Sequence, residues 1–157
     1  MKLLRSTDAG FVFQFARRER RLLLGVLELY PLIPASYHRL SKTADPEQIA
    51  ADQKLLDEAL AAQKAENQCQ LLAVLNGPGR FKLEADGYDL TLSAEQVDCF
   101  LQVLNDVRVG SWLKLGCPDP GKERPAEPTE DNVHYYVAME FCGVVQSLLL
   151  QALDTPA

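Results

Sequence analysis

Phe11, Phe13 and Phe15 alternate with Val12 and Gln14, the two-residue period of a strand that buries one face. The same period returns in Leu90-Thr91-Leu92. Each run follows a turn signal, Asp8-Ala9-Gly10 and Ala85-Asp86-Gly87, and each turn follows an extended segment, Lys2 to Arg5 and Arg80 to Glu84. Two β-hairpins are therefore expected. Each leads into a helical period. The first helix is expected from about Ala16 to Tyr30, with Leu22, Leu23, Val26, Leu27 and Tyr30 on its stripe and Pro31 and Pro34 ending it. The second starts behind Ser93, an N-cap with Gln96 three residues on, the spacing of a capping box. Val97, Phe100, Leu101, Leu104, Val107 and Leu115 fall mostly on one face, and Gly116 before Cys117-Pro118 stops the helix.

The two units overlay without a gap when Gly10 is placed on Gly87. Phe13 then falls on Leu90, Phe15 on Leu92, Glu19 on Gln96, Leu23-Leu24 on Phe100-Leu101, and Val26-Leu27 on Val103-Leu104. One reading is an internal repeat whose strands join in an antiparallel sheet of about four strands, with helices on one face. The other is that strand and helix periods are generic, and any two hairpin–helix units would align.

Two more helices complete the pattern. One opens at Asp45-Pro46-Glu47 and runs to Leu75, where Asn76-Gly77-Pro78-Gly79 breaks it. The other, Val133 to Leu153, is apolar nearly all round, so it lies deep in the core or turns one face to a partner. Ile33 to Thr43 reads as a loop carrying Tyr37 and His38, and residues 117–131, with four prolines, as an exposed loop. The expected fold class is α+β in a single domain, with two hairpin–helix units forming a small antiparallel sheet against about four helices.

Composition narrows this only modestly. At 157 residues, 47% apolar and 24% charged, one core suffices without disulfides or metals. Apolar stretches are interrupted short of a bilayer span, and Thr7-Asp8-Ala9-Gly10 cuts off the signal-like start, so a cytoplasmic protein without membrane contact is expected. Cys69, Cys99, Cys117 and Cys142 form no CxxC and read as free thiols. The net charge of −6 conceals an asymmetry. Residues 1–42 hold eight Lys/Arg against three Asp/Glu, and the remainder eight against nineteen. Such an acidic chain is not expected to bind nucleic acid, though a local anion site near the N-terminus stays open.

Three groups of residues carry candidate chemistry. Arg17, Arg18, Arg20 and Arg21 crowd a helix start, where cations oppose the dipole. They form an anion or acidic-partner site, a solvated face, or a self-complementary contact with the acidic remainder of a second copy. Arg108 shares a stripe with Leu101 and Leu104, and Glu140 lies between Val137 and Val144, so a buried Arg108–Glu140 pair across two helices is expected, with Asn105 beside it. Cys117, His134 and Cys142, even with His38, match no zinc spacing. No catalytic residue, metal or cofactor is expected.

Leu104-Asn105-Asp106-Val107-Arg108-Val109 and Leu113-Lys114-Leu115-Gly116, with Tyr136, Gln146-Ser147-Leu148 and Ala152-Leu153, resemble a bacterial family of unknown function, the one numbered twenty-seventeen. The Gly10 hairpin and its helix resemble that family's start. The resemblance implies no activity. The family's genes often neighbour that of the ClpS adaptor, which implies a link to regulated proteolysis and to the Clp adaptor and protease machinery. The arginine cluster and the proline-rich loop depart from the family pattern. The functional expectation is a non-enzymatic interaction or regulatory module, with a homodimer through the last helix possible. The alternative is an enzyme or ligand-binding protein with a pocket around Arg108, Glu140 and Asn105.

Overall fold

The structure is a computed structural model that describes residues 1–7, 10–34, 37–40, 46–77, 81–118 and 127–154. Strands β1 (Lys2–Thr7) and β2 (Gly10–Phe15) lead to helix α1 (Arg17–Leu27) and then α2 (Pro46–Asn76). Strands β3 (Phe81–Glu84) and β4 (Gly87–Leu92) lead to α3 (Ala94–Lys114), and α4 (Val133–Leu153) closes the chain. The fold is α+β. Its one sheet has the order β1-β2-β4-β3 with every pair antiparallel.

The two hairpins meet at β2 and β4, in a register that pairs Phe13 with Leu90 and Phe15 with Tyr88. Phe13 and Leu90 are the residues that the Gly10–Gly87 overlay superposes, so this rung sits at the centre of a two-fold arrangement. The glycines follow it. A Cβ on Gly10 would stand 2.4 Å from the Leu92 carbonyl oxygen, and one on Gly87 would stand 2.2 Å from that of Phe15. Both have positive φ, so glycine is required twice over, by space and by backbone conformation.

The helix ends follow from local chemistry. The Ser93 hydroxyl accepts from Gln96 N and the Gln96 side chain accepts from Ser93 N, the reciprocal box that opens α3. At its other end Cys117 N donates to Trp112 O and Gly116 N to Leu113 O, a Schellman closure with Gly116 at φ +79°. Helix α1 is shorter than its stripe suggested. It stops at Leu27, and Glu28 and Leu29 form a turn before the cis Tyr30–Pro31 peptide.

The core lies between the sheet and the helices. Phe13, Phe15, Leu90 and Leu92 meet Leu23, Phe100, Val103 and Leu104 there. The α3–α4 contact extends it through Val107, Ala138, Cys142, Val145, Leu149 and Ala152. The α4 contribution repeats at intervals of four and three residues, and its small members let the two helices approach closely. Helix α2 reaches α3 through polar groups as well. The buried Asn67 accepts from Gln63 and donates to Gln102, which donates in turn to Asp98. Asp45, Arg80 and most of the proline-rich loop lie outside the described residues.

Candidate functional site

Two clefts gather the residues singled out from the sequence. The larger, about 520 Å³, runs between α3 and α4 and is lined by Asn105, Arg108, Val109, Trp112, Met139, Glu140, Gly143, Val144 and Ser147. Asn105, Arg108 and Glu140 are thus brought to one place. The expected buried ion pair is not there, however. Arg108 and Glu140 are both exposed, and no ion pair joins them. Arg108 lies over Gly143, where a Cβ would stand 3.5 Å from its Cζ, and its Nη1 donates to Gln146 Oε1 at 3.4 Å. The physical reason is the width of the apolar surface on α4. Val137 and Val144, which flank Glu140, are 44% and 58% exposed, while the buried seam runs through Ala138, Cys142 and Val145.

The charged group that α3 does bury is Asp106. Its Oδ1 accepts from the backbone N–H of Leu32 and of Ile33, the latter at 3.1 Å, and its Oδ2 lies 3.4 Å from Lys64 Nζ. Lys64 also donates to the Ile33 carbonyl at 2.8 Å. Asp106 therefore ties α2 and the segment after α1 to α3, a structural task. Gly110 lets Leu32 pack against the helix, since a Cβ there would come within 2.7 Å of the Leu32 side chain.

The α3–α4 cleft combines the polar groups of Asn105, Arg108, Glu140 and Ser147 with the apolar side chains of Val109, Trp112, Met139 and Val144. Ser147 donates its hydroxyl to the Gly143 carbonyl at 2.9 Å, and no histidine is among the lining residues. The buried Cys142 behind it is an inert thiol, because burial pushes its pKa up to about 12 against the opposing pull of the Arg108 charge. All four cysteines are free, and Cys99, also buried, donates weakly to the Asn67 carbonyl. Among the described residues no three His, Cys, Asp or Glu side chains are grouped to hold a metal ion.

The second cleft, about 500 Å³, lies along α1 beside β4. Arg17, Arg20 and Arg21 line it with Leu24, Gly25, Glu28 and Tyr88, whereas Arg18 does not. The cluster is not uniformly solvated. Arg17, Arg18 and Arg21 are exposed, but Arg20 is half-buried, its guanidinium 4.6 Å from the Tyr88 ring centre and 5.1 Å from that of Phe81. Its buried Nε has no hydrogen-bond partner. None of these arginines is in an ion pair with a described carboxylate. Glu19 on the same turn is engaged elsewhere, pairing with the Met1 amino group and accepting from Ala16 N at 2.8 Å. That bond is half a capping box, since Ala16 has no side-chain acceptor to complete it.

Sequence reasoning overlooked Tyr88, Trp112, Met139 and Gly143 as lining residues. The signal for the first was its position in β4, on the face that carries Leu90 and Leu92 toward the helices.

The fold is that of an α+β protein, and two surface clefts hold the residues singled out from the sequence. Residues 29–153 match the family described as "Domain of unknown function (DUF2017)", and the chain belongs to that family. The matched span begins beyond α1, so the first hairpin and the arginine cluster lie outside it. Comparison with curated proteins and with solved structures gives no match.

Proposed function

We propose that the chain is a non-enzymatic protein-interaction module that presents the outer flank of α4, with the α3–α4 cleft beside it, to a protein partner. The observation that carries this reading is the apolar surface left uncovered on α4. Val133, Val137 and Val144 share one exposed stripe of the helix, and Val144 also lines the cleft. By length and composition α4 is apolar enough to cross a membrane, but here its small-residue seam packs on α3, and the exposed valine stripe beside that seam is what needs an explanation. The gene neighbourhood that the family resemblance implies makes the ClpS adaptor and its protease, in a bacterial cytoplasm, the first partners to test. A second copy of the chain, paired through α4, is the other occupant of the same flank.

The experiment is a titration of labelled full-length chain with purified adaptor and protease, beside light scattering of the chain alone. Saturable binding or a stable dimer, weakened about tenfold by Val144→Glu, is expected. A monomer that binds neither component, at concentrations where Val144→Glu is also folded, would remove this reading. A second reading, a small-molecule site, is favoured by the convergence of Asn105, Arg108 and Glu140 on one cleft. It requires thermal stabilisation by an anionic small molecule that is lost in Arg108→Gln.

A further inference from the structure

The arginine-lined cleft continues into an apolar groove. Leu24 and Glu28 line both, and beyond them the surface between α1 and α2 is formed by Leu27, Leu71, Leu72 and Leu75 around a volume of about 310 Å³. One strip of surface therefore carries three guanidiniums at one end and aliphatic side chains at the other. It shares no lining residue with the α3–α4 cleft, so a role for it goes beyond the function proposed above.

We propose that this strip is a docking site for an acidic segment of a partner protein whose aliphatic side chains enter the α1–α2 groove. Three observations converge on that occupant. First, Arg17, Arg20 and Arg21 line one cleft without an ion-pair partner among the described residues. Second, Arg20 is already held in place by the Tyr88 and Phe81 rings. Stacking engages the face of a guanidinium and leaves its in-plane N–H donors for a carboxylate, so little side-chain freedom remains to be lost on binding. Third, the chain beyond residue 42 is strongly acidic, with nineteen Asp/Glu against eight Lys/Arg, so the arginine cluster concentrates the positive charge of the molecule in one place. An acidic segment is repelled by that remainder and attracted here, which selects this place on the molecule.

The groove itself decides between a peptide and a fatty acid. An acyl chain must be withdrawn from water along its whole length, whereas Leu72 stays 52% exposed at the rim. Separate side chains entering an open groove suit that shape. A lone inorganic anion would use the arginines and leave the groove empty.

The test uses the full chain and a fluorescein-labelled peptide of alternating Glu and Leu. Two control peptides replace every Glu by Gln or every Leu by Ser. Anisotropy titration is expected to give saturable binding of the first peptide, weakened about tenfold by either replacement and progressively by added salt. The double variant Arg17→Gln/Arg21→Gln and the single variant Leu72→Glu change exposed side chains, so both are expected to melt like the parent and to lose affinity by a similar factor. Val144→Glu, on the α4 flank, is expected to leave the peptide's affinity unchanged. The proposal is overturned if the peptide does not saturate, if the Gln peptide binds equally well, or if either groove variant retains full affinity. It is equally overturned if laurate or inorganic phosphate displaces the peptide at comparable concentration, or if Val144→Glu abolishes binding. Failure at the α4 flank with success here, or the reverse, keeps the two surfaces distinguishable.

Discussion

The hairpin–helix unit built from β1, β2 and α1 and the one built from β3, β4 and α3 share a geometry and divide in use. In both, a positive-φ glycine passes under the other unit's final strand, and a side chain three residues into the helix caps its start. Matched positions are buried on both sides, with Leu23 against Phe100, Val26 against Val103 and Leu27 against Leu104. The helices then diverge. Helix α3 continues for 21 residues and becomes the central element of the core, whereas α1 ends after 11 and turns arginines outward. The same local code thus produces one helix that is packed on most sides and one that presents a surface. The difference lies in the positions that face away from the sheet.

The shared part gives the largest expected effect. Gly10→Ala and Gly87→Ala each force a Cβ against a backbone carbonyl at positive φ, with no flexible side chain to move aside. Each is expected to cost roughly 3 kcal/mol, and the two costs should be similar. Urea melts of the two variants check this. A large loss at one site with little at the other would break the equivalence of the units.

The next effect sharpens the divergence. Where α1 has stopped, the chain is gripped by α3 through Asp106, which takes the Leu32 and Ile33 N–H groups and faces Lys64. Asp106→Ala is expected to cost about 2–3 kcal/mol, because it leaves two backbone donors without their acceptor and the Lys64 ammonium without its counter-charge. Asp106→Asn retains an acceptor and should cost about half as much. Hydrogen exchange at Leu32 and Ile33 is expected to quicken in both variants.

Arg20 tests the divergence at one position. The overlay places it on Val97, which is fully buried in the second unit. In the first unit a guanidinium on two rings fills the corresponding place. Arg20→Ala is expected to cost about 1 kcal/mol through lost stacking and lost cover of the rings, with Arg20→Lys intermediate. Arg17→Gln/Arg21→Gln should instead be neutral or stabilising by a few tenths of a kcal/mol, as it relieves opposition to the helix dipole. Equal effects at all three sites would make the cluster a plain solvated face.

Much of the fold was legible because its signals are local. The Phe11–Phe15 alternation, the Ser93 box and the Gly116 stop each depend on a few neighbouring residues, and each forms where its chemistry places it. The site was legible in its membership more than in its arrangement. Asn105, Arg108 and Glu140 do share a cleft, yet the period that put Arg108 in line with Leu104 gave no sign of where α4 would end its cover. An all-round apolar helix has no amphipathic face to read, so Glu140 could not be assigned from its valine neighbours. The small residues Ala138, Cys142 and Ala152 were the better guide, because close approach of two helices selects for size. Asp106 was overlooked for a different reason. Its partners are backbone N–H groups more than seventy residues earlier, and backbone groups leave no mark in a sequence.

The smallest expected effect lies at the two helix caps, where the units differ by one ionisable group. Gln96 caps α3 and cannot titrate, whereas Glu19 caps α1 and can. Burial alone would raise the Glu19 pKa. The hydrogen bond from the Met1 ammonium, the Ala16 N–H and the attraction of that ammonium outweigh it, and hold the carboxyl below its ordinary value of 4.5. A carboxyl whose pKa is lower folded than unfolded stabilises the fold above its unfolded value. That contribution is lost as the pH falls from there through the folded value. The group is partly solvated, so solvent screening limits the contribution to about 0.5 kcal/mol at neutral pH. Glu19→Gln, which gives the first unit the second unit's cap residue, should therefore be slightly less stable than the parent at pH 7. The two urea midpoints should converge as the pH is lowered below 4.5. A constant gap across that range would mean that the Glu19 charge contributes nothing, and that the two caps act by hydrogen bonding alone.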